Sequence, residues 1–474
     1  MNSSQLQGRH PELPLTLGLH TGDELVVQQW LRVLPGQRYV GRALWRGRSV
    51  LAKLFVGGKA QRHFQRELNG VQLLLQQGLT TPELLASDYD AAFGGWVLFE
   101  YLDGAQSLEQ QWQQVAGQPV WTPAQQQVLE QALACIAQMH RKGLWQGDIH
   151  LDNFMLHNGQ LYIIDGGGIA SETPGQPLTT ETALKNLAVF FAQLSPELDD
   201  WLEPLLKIYI EQGGQQNIQL ASLRDAIAKI RRWRIRDYLK KTARDCSLFS
   251  VNKSVSGVTA MQRGRMDEVA ELVAAPDRFI DSGHIYKTGG AATVARVEHK
   301  GQSWIIKRYN IKDFLHWLKR CWRPSRAWHS WQAGFLLELE GIAVVQNVAV
   351  RERRLFGLRR QAWLISEYAG EQDLIDRFAP YIDSGEVPEQ DLLSLQQLLA
   401  GMIRAKISHG DLKGHNILWH NDRCLLIDLD AVRQHKSHGS FVRAFKRDRA
   451  RLLRNWPQES RLYRLLNEKL PQID

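Results

Sequence analysis

The chain is poor in cysteine and has no long apolar run. Its four cysteines, Cys135, Cys246, Cys321 and Cys424, stand apart among 474 residues with no C-x-x-C pair. That spacing argues against a disulfide framework or a zinc site and suits a reducing compartment. No uncharged apolar stretch reaches the roughly 18 residues that a membrane-spanning helix needs, so none is expected. Residues Met1 to His10 lack an apolar core, and no signal peptide is expected there. Composition is unbiased, at 44% hydrophobic and 23% charged, which excludes a wholly disordered or collagenous protein. Acidic residues are the minority: 50 against 58 Lys and Arg, a formal charge of +8. This modest excess points to an anionic partner.

What is present is a repeat. Gln146-Gly-Asp-Ile-His-Leu-Asp-Asn153 is followed by Leu161-Tyr-Ile-Ile-Asp165. His409-Gly-Asp-Leu-Lys-Gly-His-Asn416 is followed by Leu425-Leu-Ile-Asp428. Asp148, Asn153 and Asp165 each recur 263 residues later, as Asp411, Asn416 and Asp428. Upstream, Ser49-Val-Leu-Ala-Lys53-Leu-Phe matches Ser303-Trp-Ile-Ile-Lys307-Arg-Tyr. Likewise Val97-Leu-Phe-Glu100-Tyr matches Leu364-Ile-Ser-Glu367-Tyr. Four ordered matches argue for duplication.

The pattern within each copy is strands, a helix, strands, then mostly helices. Tyr39 to Phe55 alternates as a hairpin turning near Gly47. Phe64 to Gln77 and Gln125 to Lys142 carry helical periodicity and stop at Gly78 and Gly143. In the second copy a sheet is expected from about Asp277 to Tyr309 and a helix over Gln390 to Ala405. The class is α+β: two tandem units, each a small antiparallel-sheet lobe joined to a larger helical lobe. The basic helix Lys229 to Arg244 ends the first copy. The domains are accordingly 1–245 and 246–474.

An Asp and an Asn five residues apart, with a further Asp closing a strand, suit phosphoryl transfer. That reaction needs a group to orient and deprotonate a hydroxyl, oxygen ligands for Mg2+, and a fixed cation at the donor phosphates. Both copies resemble the protein-kinase-like superfamily. His409-Gly-Asp-Leu-Lys-Gly-His-Asn-Ile-Leu most resembles the bacterial lipopolysaccharide core kinases, which phosphorylate Kdo or heptose. The resemblance implies ATP and Mg2+ as cofactors, with Asp148 and Asp411 as catalytic bases. It places Lys53 and Lys307 on the phosphates, with Glu67 paired to Lys53. Asn153, Asp165, Asn416 and Asp428 would be metal ligands. Lys413 would steady charge on the transferred group, where the first copy has His150. Glu100 and Glu367 fall at the lobe hinge, on the adenine side.

Both copies depart from the protein-kinase pattern. Neither has G-x-G-x-x-G. The first offers Leu34-Pro-Gly36-Gln, and the second offers Thr288-Gly289-Gly290-Ala, the better phosphate loop. Counting back from Gly78 and Gly341, Glu67 falls on Ser330, so the second copy has no helix glutamate. Glu338 and Glu340 lie too far along. Neither copy has D-F-G. Asp430, two residues beyond Asp428, is either a third acid at the metal or a structural acceptor.

Three stretches are basic: Lys229 to Lys241, Phe314 to Trp331 with four tryptophans, and Arg443 to Arg454. They are either solvated helix faces or a surface for anionic lipid headgroups and phosphorylated sugars. No nucleic-acid motif accompanies them, and no nucleic-acid partner is expected. The expected substrate is the lipopolysaccharide core oligosaccharide–lipid A precursor. The expected place is cytoplasmic, peripheral on the anionic inner-membrane surface. Competing readings are a non-catalytic scaffold and a kinase of small amines or sugars.

Overall fold

The computed structural model describes residues 6, 8, 11–19, 21–311 and 321–473. They divide into two units, Met1–Arg231 and Arg232–Asp474, and the helix Leu220–Lys241 runs through the division.

Period-two alternation builds the first unit's sheet and decides where its lysine points. Six antiparallel strands lie in the order Leu15–Gly18, Glu24–Leu34, Arg38–Trp45, Arg48–Phe55, Gly94–Glu100, Leu84–Asp90. Arg46 and Gly47 make the tight turn of the central hairpin, with φ of 51° and 74°, the left-handed pair that suits a twisted two-residue loop. In the strand Arg48–Phe55, Val50, Ala52 and Leu54 pack into one apolar layer with Tyr39, Trp96 and Leu98. Phe55 faces the other side, where Phe64 and Val71 of the helix Ala60–Gln76 cover the sheet. Lys53 shares the parity of Phe55 and therefore faces that helix. A separate apolar core holds the helices Pro123–Arg141, Thr180–Phe191 and Leu202–Glu211 against the hairpin Phe154–His157/Gln160–Ile163. The Pro123–Arg141 helix starts on a capping box between Thr122 and Gln125, which satisfies amides that would otherwise be left orphaned.

The second unit repeats these layers with a larger sheet. Its seven antiparallel strands run Phe249–Ser254, Gly257–Gln262, Asn347–Leu355, Leu358–Glu367, Gln302–Tyr309, Ala292–His299, His284–Lys287. Trp304 and Ile306 face one core, while Tyr309 faces the helix Arg326–Leu339 through Ala327, Trp331 and Phe335. Lys307 again shares the helix-side parity. The cross-strand partners agree between units. Lys53 lies opposite Val40 and Val97, and Lys307 opposite Val294 and Leu364. The helical part centres on Glu389–Ala405, His438–Leu453 and Arg461–Lys469.

The expected sheet boundary needs correction. Asp277 sits on the short helix Pro276–Ser282, and the sheet begins at Phe249 instead. The Ser- and Gly-containing stretch after residue 247 hides a hairpin. Phe249, Val258 and Ala260 are its buried positions, and their small polar neighbours mask the alternation.

Candidate active site

In the first unit, Lys53 Nζ lies 2.5 Å from Glu67 Oε1 and 3.3 Å from Asp165 Oδ1. Glu67 is almost wholly buried, and its second oxygen accepts the Gly167 N–H at 3.0 Å. Burial disfavours the Lys53 ammonium, but the Glu67 and Asp165 carboxylates outweigh it and hold the lysine pKa above its ordinary value. Burial likewise disfavours the charged form of Asp165. Lys53 and Arg38 overcome that penalty and keep this carboxyl below its usual range. Asp165 has φ 68° and ψ 64°, the left-handed region, where aspartate is tolerated but a β-branched residue is not.

The loop carrying Asp148 is tied to this strand end. Gln146 Nε2 donates to the carbonyls of Ile164 and Asp165, each at 3.0 Å. The Ile164 N–H bonds the Asn153 carbonyl at 2.9 Å, and Asn153 Oδ1 accepts the His150 N–H at 2.8 Å. Asp148 itself is exposed on the loop.

The second unit reproduces this frame with one exchange. Lys307 Nζ lies 2.5 Å from Asp428 Oδ1, and Asp428 has φ 59° and ψ 60°. Burial raises the Asp428 pKa, and the Lys307 charge more than reverses the effect, leaving it lowered. The loop is tied back through His409, whose Nε2 bonds the Ile427 carbonyl at 2.9 Å, and through the Ile427 N–H to the Asn416 carbonyl at 3.0 Å. The helix position opposite Glu67 is Ser330, as counted. The second acid beside the lysine is Asp430, 3.0 Å from Lys307 Nζ. Asp430 also accepts Tyr309 Oη at 2.6 Å and Ser330 Oγ at 2.8 Å. Burial, reinforced by the Asp430 charge, pushes the Tyr309 phenol well above its ordinary pKa, so it stays a donor. Asp430 thus serves Lys307 as Glu67 serves Lys53.

The exchange is reciprocal. Asp430 lies 263 residues after Gly167. A Cβ at Gly167 would press on Glu67 Oε2 at 2.9 Å. Where the helix supplies the acid, the loop has glycine; where the loop supplies it, the helix has serine.

Around Asp411, Asn416 Nδ2 donates to the Asp411 carbonyl at 2.8 Å and lies 3.3 Å from Oδ2. Lys413 Nζ stands 3.9 Å from Oδ2, and Arg451 Nη2 stands 2.5 Å from Oδ1. Gly289 and Gly290 turn between two strands with φ of 78° and 58° and open space where side chains would be. This leaves their backbone accessible to a phosphate. The backbone N–H groups of Glu100 and Glu367 are spent on Glu83 and Gln346. The Glu367 carboxylate binds Arg265 at 2.6 Å, a structural engagement.

The donor set fits a hard cation. Among the described residues, no three His, Cys, Asp or Glu side chains gather as a metal cage. Mg2+ does not require one, because it keeps waters and takes one or two carboxylates. Asp165 with Asn153, and Asp428 with Asn416, offer such oxygens. Asn416 gives its amide hydrogens to Asp411, which turns its carbonyl oxygen to acceptor duty.

The basic stretches separate. Trp331 is fully buried and Trp328 partly so, both in the core under the second sheet. They are therefore not surface anchors, because the helix Arg326–Leu339 turns them onto the sheet. Trp322 is 70% exposed. Phe314, Trp317, Lys319 and Arg320 lie outside the described residues. Sequence reasoning left the Asp430 role open and missed Arg38 and Arg451. The signal for Asp430 was the glycine at the matching position of the first copy.

Lysines held against loop carboxylates at the seam of a sheet and its covering helix define a class of site suited to polyphosphate chemistry. The chain belongs to the lipopolysaccharide kinase (Kdo/WaaP) family, which matches residues 30–167 and 271–464. A solved structure of WaaP in complex with acyl carrier protein is 21% identical, covering 45% of this chain and 89% of that chain, with a TM-score of 0.31. No curated protein matches the chain.

Proposed function

We propose that the protein is an ATP- and Mg2+-dependent kinase acting on a Kdo or heptose hydroxyl of the lipopolysaccharide inner core, at the cytoplasmic face of the inner membrane. It is read as two kinase-like bilobal domains, 1–245 and 246–474. The observation that carries this is the twofold pairing of a strand lysine with a left-handed aspartate, Lys53 with Asp165 and Lys307 with Asp428. In this reading the lysines meet the donor phosphates. Asp428 and Asn416, and their counterparts Asp165 and Asn153, would hold Mg2+, which when bound neutralises charge on the transferring group. Asp411 orients the acceptor hydroxyl and takes its proton. Lys413 faces the developing charge. Positioning and electrostatics supply most of the rate.

We assign transfer to the second domain. Lys413 and Arg451 stand beside Asp411, whereas the first domain has His150 at the Lys413 position. Asp411→Asn should lower transfer from ATP to core oligosaccharide by roughly 100-fold or more, in keeping with general-base contributions. Asp148→Asn should leave most of it. Mass spectrometry of the labelled acceptor reads both. Full activity in Asp411→Asn would sink the assignment. Full activity in the double variant would sink the kinase reading.

Membrane apposition is supported by a tip on the second unit's sheet. Phe356, 92% exposed, caps the hairpin between Asn347–Leu355 and Leu358–Glu367. Arg359 Nη1 bonds the Trp322 carbonyl at 2.9 Å, drawing exposed Trp322 to that hairpin. Arg323, Arg353 and Arg360 are exposed nearby in sequence. Aromatic side chains with adjoining cations suit an anionic interface.

A further inference from the structure

The helix His438–Leu453 contributes two groups to the catalytic loop of the second unit. Asp448 is buried and accepts the N–H groups of His409 at 2.6 Å and Gly410 at 3.0 Å. One turn on, Arg451 reaches Asp411. Beside them opens a cavity of about 640 Å³ lined by Arg433, His435, Arg447, Arg451 and Arg454, together with Ser408 and Gly410. Its one acid, Asp448, is committed to the loop amides. Burial, together with the charges of Arg433 and Arg447, holds His435 below its ordinary pKa. His435 also bonds Ser408 Oγ at 2.8 Å and Ser440 Oγ at 2.9 Å, so it acts as a neutral wall residue.

Four guanidinium groups around one cavity repel each other unless an anion joins them. Asp411 supplies part of that charge, but badly. Its Oδ1 is buried and accepts no hydrogen bond although Arg451 Nη2 lies 2.5 Å away. The contact is a charge contact without alignment, and a better acceptor would win it.

Two of the four arginines have no counterpart on the matching helix of the first unit. There Asn186 Nδ2 bonds the Gln146 carbonyl at 2.7 Å from the helix Thr180–Phe191, in the place of Asp448. Counting from Asn186, Arg451 falls on Val189 and Arg454 on Ala192, while Arg447 falls on Lys185.

We propose that this arginine-lined cavity is the acceptor site and that it recognises an oxyanionic substituent, a carboxylate or a phosphate, on the sugar being phosphorylated. The inference rests on the kinase reading given above. The anion engages Arg447, Arg451 and Arg454 and draws Arg451 off Asp411. The freed Asp411 carboxylate then accepts the proton of the neighbouring hydroxyl. A neutral sugar leaves Arg451 on Asp411 and is a poor acceptor. The site therefore selects an acid-bearing sugar by both affinity and activation.

The test uses the full chain. Calorimetry with Kdo, Kdo methyl ester, heptose phosphate and heptose separates carboxylate from phosphate as the recognised group. Binding should be confined to the acidic members of these pairs and should weaken with salt. Arg447→Gln and Arg454→Gln should each weaken it about tenfold or more, the usual scale for losing a partner of a desolvated charge pair. In turnover they should raise the acceptor KM by a similar factor, with the ATP KM unchanged. Arg451→Gln should also weaken binding of the acidic sugars and, by leaving Asp411 free whatever the acceptor, should narrow the kcat gap between acidic and neutral sugars; Arg451→Lys should restore part of that gap. Equal binding of acidic and neutral sugars, or unchanged acceptor KM in the arginine variants, would overturn the proposal while leaving the kinase reading standing. Arginine-dependent binding of the acidic sugars without any phosphoryl transfer would uphold the site and overturn the kinase reading.

Discussion

At the residue scale, the carboxylate exchange between helix and loop is the sharpest feature of the molecule. Lys53 and Lys307 both need two negative partners, because burial penalises a lone ammonium by several kcal/mol. The first unit draws one from the helix and the second draws both from the loop. Asp430→Asn should therefore weaken nucleotide binding by about tenfold and lower stability by about 1–3 kcal/mol, as Tyr309 and Ser330 lose a charged acceptor. Transplanting the first unit's solution, Ser330→Glu with Asp430→Gly, should recover much of the binding in a double-mutant cycle. If the double variant is no better than the sum of its parts, the two positions are not exchangeable.

At the element scale, the helix Ala60–Gln76 sets the position of Glu67 by packing directly on the turn after Asp165. A methyl group at Gly70 would collide with the Gly166 carbonyl oxygen. Gly70→Ala should cost about 1–3 kcal/mol from overpacking, read by denaturant titration, despite alanine's higher helix propensity. A neutral or stabilising effect would show that the helix is free to shift. The helix Pro123–Arg141 makes a pH prediction. His140 is buried between Tyr209 Oη and Asn186 Oδ1, each at 2.9 Å, and burial pulls its pKa down to about 4. An unfolded histidine titrates near 6.5, so in this window the unfolded chain binds the proton and the folded chain does not. Stability from this group is complete above that value and falls as pH drops toward 4, by about 3 kcal/mol in total. His140→Gln should flatten that slope in denaturant titrations of the full chain at pH 7, 6, 5 and 4.

At the scale of the whole molecule, the two units are unequal copies of one design. The family match to the first unit stops at Gly167, whereas the second extends to residue 464 and takes in the helix that bears Asp448 and Arg451. Among the described residues no helix is long and apolar enough to cross a membrane. Exposed Phe356 and Trp322 are the side chains that test a surface contact. Phe356→Ser with Trp322→Ser should reduce co-sedimentation with phosphatidylglycerol vesicles by about tenfold or more, since burying each aromatic at an interface is worth more than 1 kcal/mol. Retained binding in the double variant would place the contact elsewhere.

The duplication, the lysine strands, the Asp–Asn–Asp spacing and the lysine–glutamate pair were all legible from the sequence, because local spacing and period-two parity fix them. Parity alone turns Lys53 and Lys307 toward their helices. The hairpin after Phe249 was not legible, since small polar residues blur its alternation. Asp430 could be placed in sequence but not assigned, because its partner lies 123 residues away on a strand of the sheet. Arg451 was one basic residue among many on a helix that read as a solvated face. Only the packing of that helix through Asp448 onto the loop bearing Asp411 brings its charge to Asp411. Charge identity is written in the chain, but which charges meet depends on how buried layers stack, and that is decided only when the tertiary structure closes.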